Sequence, residues 1–184
     1  MQKIAFVAAL VLVGCKPPPP AASTSTLSPQ PVDLTALTRL TRPESTTGEL
    51  VYVPIYSSTP PQVGNSRFPL TAILSVHNVA LEGRLALTAV TYFDTAGRRL
   101  KEMVEADTVL GPLETKQFVI PARDQSGGTG ANFVVKWEAE AETPRPVIEA
   151  LMISTTSAQG VSFTTQGTVI QKLSREAPSD GRDD

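Results

Sequence analysis

Phe68-Pro69-Leu70-Thr71-Ala72-Ile73-Leu74-Ser75-Val76-His77-Asn78-Val79 places Leu70, Ala72, Leu74 and Val76 on one face and Thr71, Ile73, Ser75 and His77 on the other. A period of two is the mark of a strand with one face turned to a core. Asn78 reads as the end of that strand. Leu85 to Phe93 repeats the alternation, with Leu85, Leu87, Ala89, Thr91 and Phe93 opposed to Ala86, Thr88, Val90 and Tyr92. Asp94-Thr95-Ala96-Gly97 follows as a turn, with glycine where a positive φ is needed.

Working outward, the same reading predicts strands over 98–104, 116–121, 132–139, 147–155 and 160–170. Leu50 to Tyr56 is also strand-like, but Pro54 within it predicts an edge or bulged strand. In the strand over 132–139, Phe133, Val135 and Trp137 share a face, and Trp137 is expected in the core. Turn signals recur between these runs, and none has a convincing helical period. The expected fold is all-β: an immunoglobulin-like antiparallel sandwich of about 7–9 strands over residues 50–172. The charged segment 173–184 has no periodicity and reads as a disordered tail.

Ser75-Val76-His77-Asn78, Thr91 to Arg98, and Leu110-Gly111-Pro112-Leu113 resemble the strand ends and corners of bacterial immunoglobulin-like accessory domains. Three other stretches are more specific: Val51-Tyr52-Val53-Pro54-Ile55-Tyr56-Ser57, Asp124 to Phe133, and Glu149-Ala150-Leu151-Met152-Ile153. In that order they resemble the bacterial family known as domain of unknown function 3124, over about residues 50–171. That resemblance implies an exported lipoprotein, as many members look to be, and carries no activity with it.

The first residues read as an address. Met1-Gln2-Lys3 is a minimal positive start, and Ile4 to Val13 is an unbroken apolar run of ten residues. A membrane-spanning helix needs roughly 20 residues, whereas a secretory h-region needs about 7–15. Leu12-Val13-Gly14-Cys15 then resembles the lipobox of bacterial lipoproteins. The resemblance implies cleavage after residue 14 and acylation of Cys15 with palmitate-type chains. Stable anchoring takes two chains or more. Lys16, where an aspartate would signal inner-membrane retention, favours the outer membrane in a Gram-negative cell. Segment 15–49, with Pro17-Pro18-Pro19-Pro20, Pro29 and Pro31, reads as a disordered tether. Its coil reach is on the order of 30–35 Å. Within it, Leu34, Leu37 and Leu40 are spaced by three, as in a short helix on the domain or an extended arm.

Composition removes several function classes. Of 184 residues, 16 are basic and 18 acidic, and no basic stripe suggests nucleic acid. With one cysteine and one histidine, metal sites built on several thiolates or imidazoles are excluded, and no cofactor is expected.

The most conspicuous local feature is Asp124-Gln125-Ser126-Gly127-Gly128-Thr129-Gly130, ahead of Asn132. Its backbone N–H groups could form an anion-binding nest with Asp124, Ser126 and Asn132 as binding residues. The bland reading is a connecting loop whose backbone is satisfied by Asn132. It has no Walker lysine and does not open a helix. Ser126 and His77 belong to no Gly-x-Ser-x-Gly elbow. Glu138, Glu140 and Glu142 share a face and read as solvated, Asp94 and Asp107 as turn caps, and Tyr52 and Tyr56 as edge packing or one wall of a groove.

The expected function is therefore a membrane-anchored envelope lipoprotein with a non-catalytic domain that binds a protein or a cell-wall component. A small-ligand carrier using the Gly-rich loop is the alternative, and a hydrolase with a dispersed site is a third.

Overall fold

The computed structural model describes residues 35–42, 44–60, 67–140, 143–155, 160–173 and 175. Residues 1–34, with Cys15 and most of the tether, and nearly all of the C-terminal tail lie outside them. The described chain is a two-sheet antiparallel sandwich. Its strands are β1 (Thr47–Pro54), β2 (Ser58–Thr59), β3 (Phe68–Pro69), β4 (Thr71–His77), β5 (Leu85–Phe93) and β6 (Arg99–Glu102). They continue with β7 (Thr108–Leu110), β8 (Thr115–Ile120), β9 (Asn132–Ala139), β10 (Val147–Ser154), β11 (Val161–Gln166) and β12 (Thr168–Lys172).

One sheet runs β12-β1-β9-β5-β6, with β7 also pairing β5, and the other runs β11-β10-β4-β8. The chain crosses repeatedly between the sheets, though β5–β7 and β10–β11 each stay in one, so the core is built from inward faces of distant strands. Val51, Val53, Leu85, Leu87, Val135 and Trp137 from the first sheet meet Leu74, Val76, Phe118, Ile120, Ala150 and Met152 from the second. Leu70, Ala72, Leu74 and Val76 are fully buried, as their alternation predicts.

β5 corrects the expected pattern. Leu87 pairs with Trp137 and Ala89 with Lys136, which leaves Thr88 as an extra residue. A bulge of this kind places two residues opposite one and inverts the alternation beyond it. Leu85 and Leu87 therefore point inward, as do Val90 and Tyr92, while Phe93 joins an outer cluster. β1 takes the bulged form of the two expected and not the edge one. It lies inside its sheet, between β9 and β12, with Pro54 as its last residue. Its irregularity falls between Leu50 and Val51, opposite β12. Pro54 is tolerated because the ladder to β12 has already stopped at Tyr52.

β11 and β12 form one nearly continuous run that leaves one sheet for the other at Gly167. The Gly167 N–H donates to the Ile148 carbonyl at 2.8 Å. A Cβ there would lie 2.6 Å from Val51 Cγ1, so only glycine lets the crossing strand come this close.

The first sheet is covered on its outer face too. A 3-10 turn at Thr35–Thr38 leads into Leu40, and Leu37 and Leu40 pack on Leu50, Phe93, Val134 and Leu173. Of the two forms expected for this leucine-bearing segment, it takes a short turn followed by an extended arm.

Candidate functional site

The Gly-rich loop joins β8 to β9 and folds against the β5–β6 turn. Asp94 shapes that turn: its Oδ1 accepts the N–H groups of Ala96 and Arg98, and its Oδ2 accepts Arg98 Nε at 2.6 Å. Burial pushes the Asp94 carboxyl up, but the Arg98 and Ala96 hydrogen bonds and the Arg98 charge prevail and hold it below the usual range. The next residue, Thr95, ties the turn to the loop. Its N–H and hydroxyl both donate to the Gly127 carbonyl, at 2.9 and 2.8 Å, and its Oγ1 accepts the Gly130 N–H at 2.9 Å.

Beneath the loop, Tyr92 Oη and Ser57 Oγ are 2.9 Å apart and buried. Burial raises the Tyr92 phenol above its ordinary value. A Cβ on Gly127 would fall 2.0 Å from Tyr92 Oη, so that glycine is required by close packing. Gly128 adds a φ of 75°. The loop's order thus comes from Thr95, Ser57 and Tyr92. Asn132, expected to satisfy its backbone, makes no side-chain hydrogen bond among the described residues. It opens β9 opposite Pro54 and Phe93 instead. The hydroxyl of Thr95 already reaches the carbonyl and N–H in question.

Asp124 and Ser126 are brought together. Asp124 Oδ1 accepts the Ser126 N–H at 3.1 Å and the Ser126 hydroxyl at 2.5 Å. Ser126 also lines an open cleft of about 310 Å³ between the loop and the β5–β6 turn. Arg67, Arg98, Asp94, Thr95 and Thr129 are among its other walls, with no contribution from Asn132. The Arg98 side chain is 56 % exposed, with its Nε committed to Asp94. Arg67 also stands exposed, just before β3. The cleft therefore offers guanidinium N–H donors beside a hydroxyl-bearing loop, a set suited to acceptor-rich polar groups. Sequence reasoning missed both arginines. Arg98 follows a recognisable turn, but only tertiary folding brings Arg67 to it.

The other candidates separate. His77 is half-buried, with Nδ1 2.8 Å from Thr115 Oγ1 and Nε2 3.8 Å from Glu149. It ends β4, whereas the loop leaves β8 after Ile120, which pairs with Ala72. Five residues of strand, roughly 17 Å, lie between those positions. Ser126 and His77 thus share no site. Tyr56 meets Phe163 edge-on, with centroids 5.7 Å apart, and packs on the core. Tyr52 lies on the outer face of its sheet, so the two tyrosines form no common wall. Asp107 caps no turn among the described residues; it pairs with Arg42 at 3.0 Å.

Glu138 is the largest departure. Expected in solvent, it is fully buried on the outer face of β9. Its Oε1 lies 3.0 Å from Lys136 Nζ, and Lys136 is 2 % exposed. The carboxylate also accepts the N–H groups of Thr41 and Arg42 and the Thr41 hydroxyl. Burial pushes its pKa up; the arm's hydrogen bonds and Lys136 outweigh this and bring it below the usual glutamate range. The arm that covers this face explains why Lys136 and Glu138 are dry, whereas Glu140 beyond it is exposed as expected and Glu142 lies outside the described residues.

These features define a β-sandwich domain with an open polar cleft at one end. The family described as "Protein of unknown function (DUF3124)" matches residues 48–170, and the chain belongs to that family. No curated protein matches the chain significantly. Among solved structures, "Crystal Structure of Thermotoga maritima 1070" is similar at 9 % identity, covering 65 % of this chain and 92 % of that one, with a TM-score of 0.39.

Proposed function

We propose that this protein is a lipid-anchored envelope module whose sandwich binds a partner without chemical turnover. The observation that carries the anchor is Leu12-Val13-Gly14-Cys15 directly after a ten-residue apolar run. Cys15 takes the lipid, and the outer membrane is the favoured site in a Gram-negative cell. The segment that follows is rich in proline, and it gives the domain reach from the bilayer surface.

The open cleft supports binding to a protein or cell-wall component over enclosure of a small molecule. A carrier would bury most of its ligand in a deep, mostly apolar pocket. Here Arg67, Arg98, Ser126 and Thr129 surround a cleft that opens to solvent. The partner surface it suits carries carboxylates or other acceptors.

Photocrosslinking in intact cells, from a reactive residue placed at Thr129, tests the binding role. A discrete adduct that is lost in the Arg67→Ala/Arg98→Ala variant is the expected result. An identical adduct pattern from parent and variant would remove the cleft from consideration.

A further inference from the structure

A second cleft, of about 260 Å³, opens at the other end of β1 and β9 from the Gly-rich loop. Its walls include Glu49, Trp137, Lys172, Arg145 and Thr143. Register sets the first three side by side: on β1, Glu49 faces Trp137 of β9 on one side and Lys172 of β12 on the other. Directly opposed residues of antiparallel strands have Cβ atoms about 4.5–5.5 Å apart and share a face.

Two polar groups in this row are buried, one ion-paired and one without a partner. The Glu49 side chain is 6 % exposed, and its Oε1 accepts from Arg145 Nη2. A carboxylate offers about four acceptor sites, so Glu49 can take further donors. The Trp137 indole Nε1 is buried without a hydrogen-bond partner. Buried polar groups are nearly always paired, and leaving one unmet is costly. A carboxylate with room for further hydrogen bonds and one unmet indole donor thus lie on neighbouring strands in the wall of one cleft.

A ligand that engages both groups must donate to Glu49 and accept from the indole. A hydroxyl group does both. A simple anion would meet the Glu49 carboxylate, and a simple cation would meet Arg145 and Lys172, so mixed charge disfavours either. We propose that this cleft binds a neutral, hydroxyl-rich ligand of the sugar class. Its hydroxyls donate to Glu49 and accept from the Trp137 indole, with Arg145 and Lys172 at the rim. The proposal concerns a different cleft from that of the Gly-rich loop and holds whether or not the chain is lipidated.

Trp137 is the single tryptophan, so one indole cross-peak in an ¹⁵N-correlation spectrum reports this site alone. The full chain, labelled and held in mild detergent, would be titrated with N-acetylglucosamine to tens of millimolar, with sodium acetate and putrescine as comparators. The expected result is a saturable shift of the indole peak by the sugar. Glu49→Gln should weaken it at least tenfold, and Arg67→Ala, in the other cleft, should leave it unchanged. Slower solvent exchange of the indole N–H in the sugar-bound parent gives a second readout, independent of whether Glu49→Gln folds. An indole peak that the sugar does not move, or that acetate or putrescine moves equally, would overturn the proposal.

Discussion

Glu138 Oε1 accepts the backbone N–H of Thr41 at 2.9 Å, across 97 residues of sequence. That bond belongs to a set in which one buried carboxylate holds two successive backbone N–H groups of the arm and pairs with the buried Lys136. The arm is the first described segment of the chain, so Glu138 fixes where residues 41 and 42 lie against the sandwich.

Removing Glu138 leaves Lys136 as an uncompensated buried charge. Glu138→Ala should therefore cost about 3–5 kcal/mol. Urea melts would show the loss, and amide exchange at Thr41 and Arg42 should become fast. A variant that melts like the parent would mean that the arm is held by Leu37 and Leu40 alone.

The same carboxylate sets an acid limit. Its folded pKa is depressed, so the unfolded chain binds the proton more readily and stability rises with pH between the two values. The contribution is complete above the ordinary glutamate pKa of about 4.3 and is lost as pH falls through the lower folded value. Asp94 acts in the same direction. Melting temperature should fall steeply below about pH 4. Lys136→Met/Glu138→Gln should show a shallower fall; an identical slope would assign the acid sensitivity elsewhere.

In the Gly-rich loop, Gly127→Ala drives a methyl into Tyr92 Oη and Ser57 Oγ and should cost about 1–3 kcal/mol or more. Asp124→Ala and Ser126→Ala remove an exposed local bond and should stay within about 0.5 kcal/mol of the parent. Asn132→Ala, with no side-chain bond to lose, should behave likewise. Thermal melts of the four variants decide the order, and equal melts would contradict the packing role of Gly127.

The strands from Leu85 to Phe93 and from Asn132 to Ala139 were legible to the residue, because their apolar periods are long and bounded by turns. The Thr88 bulge was not, since Ala89 and Val90 fit either phase of the alternation. Nor was the burial of Glu138. Lys136-Trp137-Glu138 looks like a strand with a wet face until the arm is known to cover it. The Gly-rich loop was visible as a feature, but its partners Thr95, Ser57 and Arg67 come from three other places in the chain. Only the pairing of β5 with β9 and the packing of the loops bring them together.

Trp137 is 2 % exposed and belongs to the inter-sheet core at its end nearest the second cleft. Trp137→Ala should cost about 3–5 kcal/mol. That is a large share of the roughly 5–15 kcal/mol of an ordinary domain. Guanidinium titration of the variant would show an early midpoint; an unchanged midpoint would place the ring outside the core.

The proposed lipid anchor at Cys15 is tested most directly by metabolic labelling with an alkyne fatty acid. Cells expressing the parent chain and Cys15→Ser at equal levels would be labelled, and the protein captured and read by in-gel fluorescence. Label on the parent, none on Cys15→Ser, and loss of the variant's mature membrane-bound form are the expected results. Equal labelling of the two, or an unlabelled parent, would contradict the anchor.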